Sequence, residues 1–332
     1  MSSPASTHRL ILKMLKEKQG AYVSGALLAG RLGLTRTGIW KNIRTLRSMG
    51  YDIQSHPKEG YRLVSLPDLL LPDEILPELK TAWLGRSYHY FPQIGSTNDH
   101  ALALAAAGAP HGSAVCAEEQ TSGRGRLRRE WISSPRLGIY LSILLRTPLP
   151  VQEAFQATYI LALSLVKVLR GKYGLPGAIK WPNDILIGPR KVGGILTEMQ
   201  SDQDFTRFLV IGIGINVNHT KEDLAGPFRY PATSLAIERG DPVARRELLI
   251  TFLERLESDY DTFYSRGFST FLADLEQFSG ILGKYITIVS GKEEKRGKAL
   301  RFTPEGALIL GRDDGTEEAV WVGDVTRVEG TF

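Results

Sequence analysis

Apolar positions in the first fifty residues recur at helical spacing. Leu10, Ile11, Met14 and Leu15 place one packed face on a helix over residues 8–18, and Gly20 stops it. Ser24 is set to cap a second helix over 25–31, with Leu27 and Leu28 inward. Gly33 supplies a tight turn, and Thr35 caps a third helix reaching about Ser48. That helix buries Ile39, Ile43 and Leu46 and leaves Arg36, Thr37, Lys41 and Arg44 on another face. The pattern then becomes extended: 51–54 and 61–64 read as strands around the turn Pro57-Lys58-Glu59-Gly60. Two short helices joined through a glycine and followed by a hairpin predict a winged helix-turn-helix.

Beyond a proline-rich stretch at Leu66-Pro67 and Leu71-Pro72, which predicts a linker and a short capped helix over 72–79, strand-like and helix-like segments alternate. Strands are expected at 88–91, 113–117, 138–145, 178–181, 184–187, 192–199 and 208–216. Helices are expected at 98–107, 152–173 and 245–264. The turn at Gly188-Pro189 favours a mixed sheet over a purely parallel one. From Ile281 on, short strands punctuated at Gly291, Pro304-Glu305-Gly306 and Asp313-Asp314-Gly315 read as a small β-barrel. The fold class is therefore α/β (α+β), with expected domains at 1–66, 67–278 and 279–332.

Composition narrows the field. A chain of 332 residues, 42% hydrophobic and 23% charged, fits two or three globular domains and excludes disordered, collagen-like and coiled-coil classes. Cys116 is the single cysteine, so no internal disulfide and no thiolate cluster for zinc can form, which fits a reducing compartment. The first ten residues lack the apolar core of a signal peptide. The longest apolar stretch, 154–166, is interrupted by Gln156, Thr158 and Ser164 and is too short to cross a bilayer. The expectation is a cytoplasmic protein with no membrane partner.

Net charge is +5, but residues 1–65 hold eleven lysines and arginines against three acids. A basic head on a mildly acidic body points to a polyanion at one end, with nucleic acid the natural candidate. The candidate DNA contacts are Thr35, Arg36, Thr37, Trp40, Lys41 and Arg44. Arg36, Lys41 and Arg44 suit phosphates, and Thr37 and Trp40 suit base edges, although Trp40 suits a core position equally well.

The densest chemical signal is Gln120-Thr-Ser-Gly-Arg-Gly-Arg-Leu-Arg-Arg-Glu-Trp131. Four arginines in six positions repel one another unless an anion joins them, and the glycines let backbone approach a ligand. Phosphate binding and a solvated basic loop are the two readings. It is no P-loop, because no Gly-Lys-Ser/Thr follows. Lys180-Trp-Pro-Asn-Asp184 sets a cation, Asn183 and Asp184 at a strand's exit, suited either to nucleotide phosphates with Mg2+ or to an Asx turn closing a hairpin. Lys191-Val-Gly-Gly-Ile195 opens an apolar strand with one lysine and two glycines, a pattern for a bulge or a close ligand. Gly212-Ile-Gly-Ile-Asn216 lacks the third glycine of a dinucleotide fingerprint. Ser96-Thr97-Asn98 caps a helix, or serves a ligand with the same polar groups. No histidine pair has metal spacing, no nucleophile elbow exists, and Cys116 reads as a packed core thiol.

Taken together and in this order, with Ala-Thr-Ser-Leu at 232–235, these motifs resemble the biotin–protein ligase family, and its bifunctional members that also repress biotin biosynthesis genes. The resemblance spans nearly the whole chain. It implies a class II synthetase-like catalytic domain and an SH3-like C-terminal barrel. It further implies that Ser96, Thr97, Asn98, Gln120, Arg124, Gly125, Arg126 and Lys191 hold biotin. Arg126, Arg129, Trp131, Lys180, Asn183 and Asn216 would hold ATP or the adenylate, and Asn216 and Asp184 Mg2+. Lys191, Arg124 and Arg126 would be catalytic. The implied reaction joins biotin to ATP as biotinyl-5′-AMP, then passes biotin to a lysine of a biotin carboxyl carrier protein. Biotinyl-5′-AMP would also act as corepressor, favouring a homodimer on operator DNA. Gly193, Leu127 and Arg128 depart from common family residues without touching this chemistry. A lipoate- or octanoate-activating enzyme and a ligand-sensing repressor without catalysis are the alternatives.

Overall fold

The computed structural model describes residues 4–226 and 230–330; the ends of the expected first and last domains, 1–3 and 331–332, lie outside them. The chain forms two compact units, Met1–Leu69 and Leu70–Phe332.

The first unit holds helices α1 (Pro4–Glu17), α2 (Gly25–Leu32) and α3 (Arg36–Ser48) and the hairpin of β1 (Asp52–His56) and β2 (Gly60–Ser65). Both caps form as the sequence predicts: Ser24 Oγ accepts from Leu27 N at 3.1 Å and Thr35 Oγ1 from Gly38 N at 3.0 Å. Ile39, Ile43 and Leu46 are buried on α3. The guanidinium of Arg47 donates to Ile53 O and Ser55 Oγ, tying α3 to the hairpin. Two apolar expectations fail. Leu10 and Leu27 are exposed, because α1 packs through Ile11, Leu12 and Leu15, and the eight-residue α2 through Leu28 alone. A face set by i, i+4 spacing rotates by a residue at little cost when a helix is short.

The second unit begins with α4 (Pro72–Ile75), shorter than expected, followed by β3 (Tyr88–Phe91), α5 (Thr97–Ala106), β4 (Ala114–Ala117) and β5 (Gly138–Leu145). Next come α6 (Gln156–Tyr173), β6 (Gly177–Lys180), β7 (Asp184–Ile187), β8 (Arg190–Ser201), β9 (Thr206–Asn216), α7 (Leu235–Arg239), α8 (Arg245–Arg266) and α9 (Leu272–Gln277). The seven strands order as β3-β4-β5-β9-β8-β7-β6. Only β3 and β4 run parallel, so the sheet is mixed, as Gly188-Pro189 foretold. One face carries Ile139, Leu141 and Ile143 of β5 and Leu209, Ile211, Ile213 and Ile215 of β9, packed in a core with α6 and α8. The other face is covered in part by α5, over Val115, Leu144 and Val210, and its remainder lines the site.

Strands β10 (Tyr285–Ser290), β11 (Glu293–Phe302), β12 (Leu308–Gly311), β13 (Glu317–Val320) and β14 (Asp324–Val328) make a second, antiparallel sheet ordered β13-β12-β11-β10-β14. Its Ile286, Ile288, Ala299, Phe302, Leu308 and Leu310 join the main core. This corrects the expected barrel: among the described residues β13 and β14 are not paired, and the sheet stays open. Its apolar face is already buried on the larger sheet's core, so closure is not needed to hide it. No helix is long and apolar enough to cross a membrane among the described residues.

Candidate active site

Register places the site. Opposite residues of an antiparallel pair share a face, and the ladder sets Lys180 against Asp184, Asp184 against Gly194, Gly194 against Gly214 and Gly214 against Tyr140. The next rung on that face runs Leu196, Gly212, Ser142. Two glycines therefore lie mid-sheet on the face that α5 covers only in part. A Cβ on Gly212 would collide with the Asn98 amide, and one on Gly214 with the Trp131 indole. Glycine is required there because other side chains occupy that space.

Lys191 reaches this face through a bulge. Ile185 opposes Gly193 and Leu186 opposes Lys191, leaving Val192 as the extra residue. Without it, strict alternation would turn Val192 to the site and Lys191 to the core; with it, Val192 is fully buried in the core and Lys191 Nζ sits 2.6 Å from Asp184 Oδ1.

Over these strands hangs the loop from Gln120 to Ser133, pinned by isolated bridges between Gln120 and Ser133 and between Arg124 and Glu130. Leu127 and Arg128 at its tip adopt positive φ (56° and 57°), and Leu127 is exposed. Strands and loop enclose a cavity of about 540 Å³. All fourteen ligand-site residues named from the sequence line it: Ser96, Thr97, Asn98, Gln120, Arg124, Gly125, Arg126, Arg129, Trp131, Lys180, Asn183, Asp184, Lys191 and Asn216.

The cavity has two unlike ends. At one, hydrogen bonds run without a break. Gln120 Oε1 accepts from Thr97 N (2.8 Å) and Thr97 Oγ1 (2.9 Å), and Ser142 Oγ lies 2.7 Å from Thr97 Oγ1 and donates to Asn98 Oδ1 at 2.5 Å. Asn98 Nδ2 donates to Glu198 Oε2 at 2.7 Å. Arg124 forks onto Asp99 at 2.6 and 2.7 Å and reaches Glu198 at 3.1 Å. These bonds hold the Asp99 carboxyl below its usual range and push the Arg124 guanidinium up. Ser96 caps α5 through Asp99 N, so this end is built on a helix N-terminus.

At the other end cations gather. Lys180 is buried, with Nζ 3.3 Å from the centre of the Tyr230 ring and 3.8 Å from Asp184 Oδ2. Lys191 Nζ lies 5.3 Å from the Trp131 ring. Arg126 donates to Gly323 O (3.2 Å) and Asn183 Oδ1 (3.4 Å), and pairs with Asp324 at 3.1 Å; Arg129 meets the same carboxylate at 2.8 Å. Asn216 Nδ2 donates to Thr233 O. Trp131 Nε1 is buried with no acceptor among the described residues, a donor that a bound group would satisfy. Trp181 turns inward from the β6–β7 turn, its indole donating to Tyr159 OH at 2.6 Å.

The residues named for Mg2+ do not form a protein-held metal site. Asp184 is shared between two lysines, which more than match its charge, and Asn216 adds only a neutral donor. Among the described residues no group of three or more His, Cys, Asp or Glu side chains could hold a metal ion. The Cys116 thiol is buried and pushed up to about 12 by burial, which suits its reading as inert core.

Sequence reasoning missed Asp99, Glu198, Tyr230 and Asp324. Acids carry no motif of their own, and these lie far along the chain from the arginines they meet. The surplus of arginines in 124–129 was the one available signal that partners were owed. In the first unit Thr35, Arg36, Thr37, Trp40, Lys41 and Arg44 are all exposed, which answers the open question on Trp40; its ring lies 5.8 Å from the Arg44 guanidinium.

Comparisons with known proteins find relatives for both units. Residues 90–216 match the biotin/lipoate A/B protein ligase family, and residues 7–62 an HTH domain. The chain is 35% identical over 308 residues to the bifunctional ligase/repressor BirA of Bacillus spizizenii, covering 93% of this chain and 95% of that one. It is 30% identical over 294 residues to the protein of the same name from Escherichia coli, covering 89% of each. Among solved structures, the biotin protein ligase of Aquifex aeolicus in complex with biotin and ATP superposes with a TM-score of 0.63 at 28% identity, covering 72% of this chain and 97% of that one.

Proposed function

The chain belongs to the biotin/lipoate A/B protein ligase family, and from that premise we propose that its cavity activates biotin with ATP and that its basic head carries the result to DNA. The observation that supports this most directly is the division of one cavity into a neutral, hydrogen-bonding end and a cationic end. Biotin has the matching polarity, a ureido head and a carboxylate tail.

A carboxylate oxygen of biotin attacks the α-phosphorus of ATP, the bond to the β-phosphate oxygen breaks, and pyrophosphate leaves. Two anions must meet, so the barrier is electrostatic. Lys191 would bring the carboxylate and the α-phosphate together, and Arg126, Arg129 and Lys180, which line the same cavity, would take the rest of the phosphate charge. Magnesium enters as part of the nucleotide substrate and neutralises phosphate charge there. In the second step the neutral amine of an acceptor lysine attacks the mixed anhydride carbonyl, AMP leaves, and the nitrogen loses its proton. The loop at Gln120–Ser133 would shield the anhydride from water. The acceptor is a lysine of a biotin carboxyl carrier protein.

The first unit supplies a second role. Arg36, Lys41 and Arg44 would meet operator phosphates, and Thr37 and Trp40 base edges. Biotinyl-5′-AMP would act as corepressor by favouring a homodimer that reads two half-sites. In this reading residues 1–66 serve DNA, 67–278 catalysis, and 279–332 form a C-terminal module closing the site.

The test is pyrophosphate release from MgATP with biotin, with lipoate and with no acid. Release with biotin alone is expected; release with lipoate instead would move the chain to the sister activity. Operator affinity measured with and without biotin and ATP tests the second role, and equal affinities would overturn it.

A further inference from the structure

The loop over the cavity has two roots, and one buried ion pair joins them. Glu118 follows β4, just before Gln120, and Arg245 opens α8; both side chains are buried, and the chemistry above uses neither. Arg245 Nη1 donates to Glu118 Oε2 at 2.7 Å and to Gly138 O, on the first residue of β5, at 3.0 Å. Glu118 Oε1 accepts from Leu70 N (2.9 Å) and Tyr90 OH (3.3 Å), so both carboxylate oxygens are used. The far root is a turn against local preference, for Arg136 takes a φ of 64° without being glycine. Such backbone persists only where its surroundings over-determine it. Here Tyr140 OH donates to Ser134 O (2.9 Å), Arg136 N to Glu118 O (3.2 Å), Asn218 N to Leu137 O (2.7 Å) and Arg245 to Gly138 O. Gly138 in turn opposes Asn216 across β5 and β9, so this root is registered with the site.

We propose that Glu118 and Arg245 are positioning residues for the reaction: by bridging Gly138 O to the segment that enters Gln120, they set the spacing of the loop's two roots and keep the loop seated while the adenylate is held. This rests on the ligase reading above and adds to it which residues keep the intermediate from water. A buried ion pair can return by attraction no more than it loses by leaving water, so its worth lies in the geometry it imposes rather than in stability. Glu118 grips the far root twice, through its own carbonyl on Arg136 and through its carboxylate by way of Arg245. With the bridge gone, the turn at Arg136 relaxes and the loop lifts. Water then adds to the anhydride carbonyl, the carbon–oxygen bond to AMP breaks, and biotin and AMP form as a proton passes to solvent.

The test compares the full-length wild type with Glu118→Gln/Arg245→Met, which removes both charges together and leaves neither buried alone. Pyrophosphate release from MgATP and biotin is followed with no acceptor protein present. The wild type is expected to slow after one pyrophosphate per site, because the adenylate stays in place. The double variant should make its first pyrophosphate within about threefold of the wild-type rate, then continue at least about tenfold faster as adenylate is lost to water, the scale of one charge-assisted hydrogen bond. Hydrogen exchange at Thr121, Ser122 and Arg136, whose amides are all bonded across the roots, should speed up by a similar factor while β9 is unchanged. No added release in a folded double variant overturns the proposal, as does exchange that quickens equally in β9, which would mark a merely structural pair. Should the double variant not fold, Glu118→Asp, which keeps the charge and shortens the bridge by one methylene, must show the same root-confined exchange and loss of adenylate or the proposal falls. Exchange needs no turnover, so a wild type that releases no pyrophosphate with biotin would sink the ligase reading while the grip of the pair on the loop is still decided.

Discussion

Lys191 is the ammonium nearest both Asp184 and Trp131, and we propose it as the group that steadies the reacting anions. Lys191→Ala is expected to lower biotin-dependent pyrophosphate release at least about a hundredfold, in the range for removing one group that stabilises developing charge. Its melting temperature should change little, since the side chain is partly exposed. Wild-type turnover in that variant would remove Lys191 from the mechanism. His219 makes a prediction of another kind. Buried beside Tyr140, its imidazole is pushed down to about 4, first by loss of solvent and then by Arg245, with Asp223 opposing. A base with a depressed folded pKa binds fewer protons than in the unfolded chain between pH 6.5 and about 4. Stability is therefore full above the unfolded value and lost as pH falls through that window, by up to about 3 kcal/mol. Chemical denaturation at pH 7 and pH 4.5 should show that loss, and His219→Gln should flatten the pH dependence whatever it does to stability at neutral pH.

Elements decide where those residues point. The Val192 bulge sets the parity of β8, and Asp324 at the start of β14 holds Arg126 and Arg129. Asp324→Asn keeps the shape but releases the loop. Hydrogen exchange across 124–131 should speed up, and KM for ATP should change several-fold while KM for biotin moves less, since the proposed seat of the biotin head is at the other end. Unaltered exchange would mean the loop is set by its own bridges at Gln120–Ser133 and Arg124–Glu130. Strand and helix positions were legible because period and caps are local: β5 and β7 fall on the expected residues and Thr35 caps α3. Which glycine carries what was not legible, since Gly212 and Gly214 owe their identity to Asn98 and Trp131, more than eighty residues earlier in the chain. The fate of the C-terminal strands was hidden for a like reason. Closure depends on whether β13 meets β14 in space, and a sequence shows only that strands exist. The acids Asp99, Glu198 and Asp324 were equally silent, as a lone carboxylate looks the same whether it meets water or an arginine.

At the scale of the molecule, the separation into Met1–Leu69 and Leu70–Phe332 puts every cavity-lining residue in one unit and the exposed α3 face in the other. Replacing Arg36, Lys41 and Arg44 together by alanine should therefore leave pyrophosphate release within about twofold. It should also weaken operator binding and lower the slope of log K against log salt by about five, for three phosphates no longer neutralised by each protomer of the dimer. A fall in turnover as large as the fall in DNA affinity would contradict that independence. The placing of Asp324 has a consequence in time as well as in space. A ribosome delivers residues in order, and domains fold as they emerge. The helical head is complete early, and the arginines at 126 and 129 are in solution long before the carboxylate that will restrain them has been translated. A nascent or prematurely terminated chain thus owns a finished DNA-binding head and an unrestrained arginine loop. The strand that restrains that loop is made about two hundred residues after it.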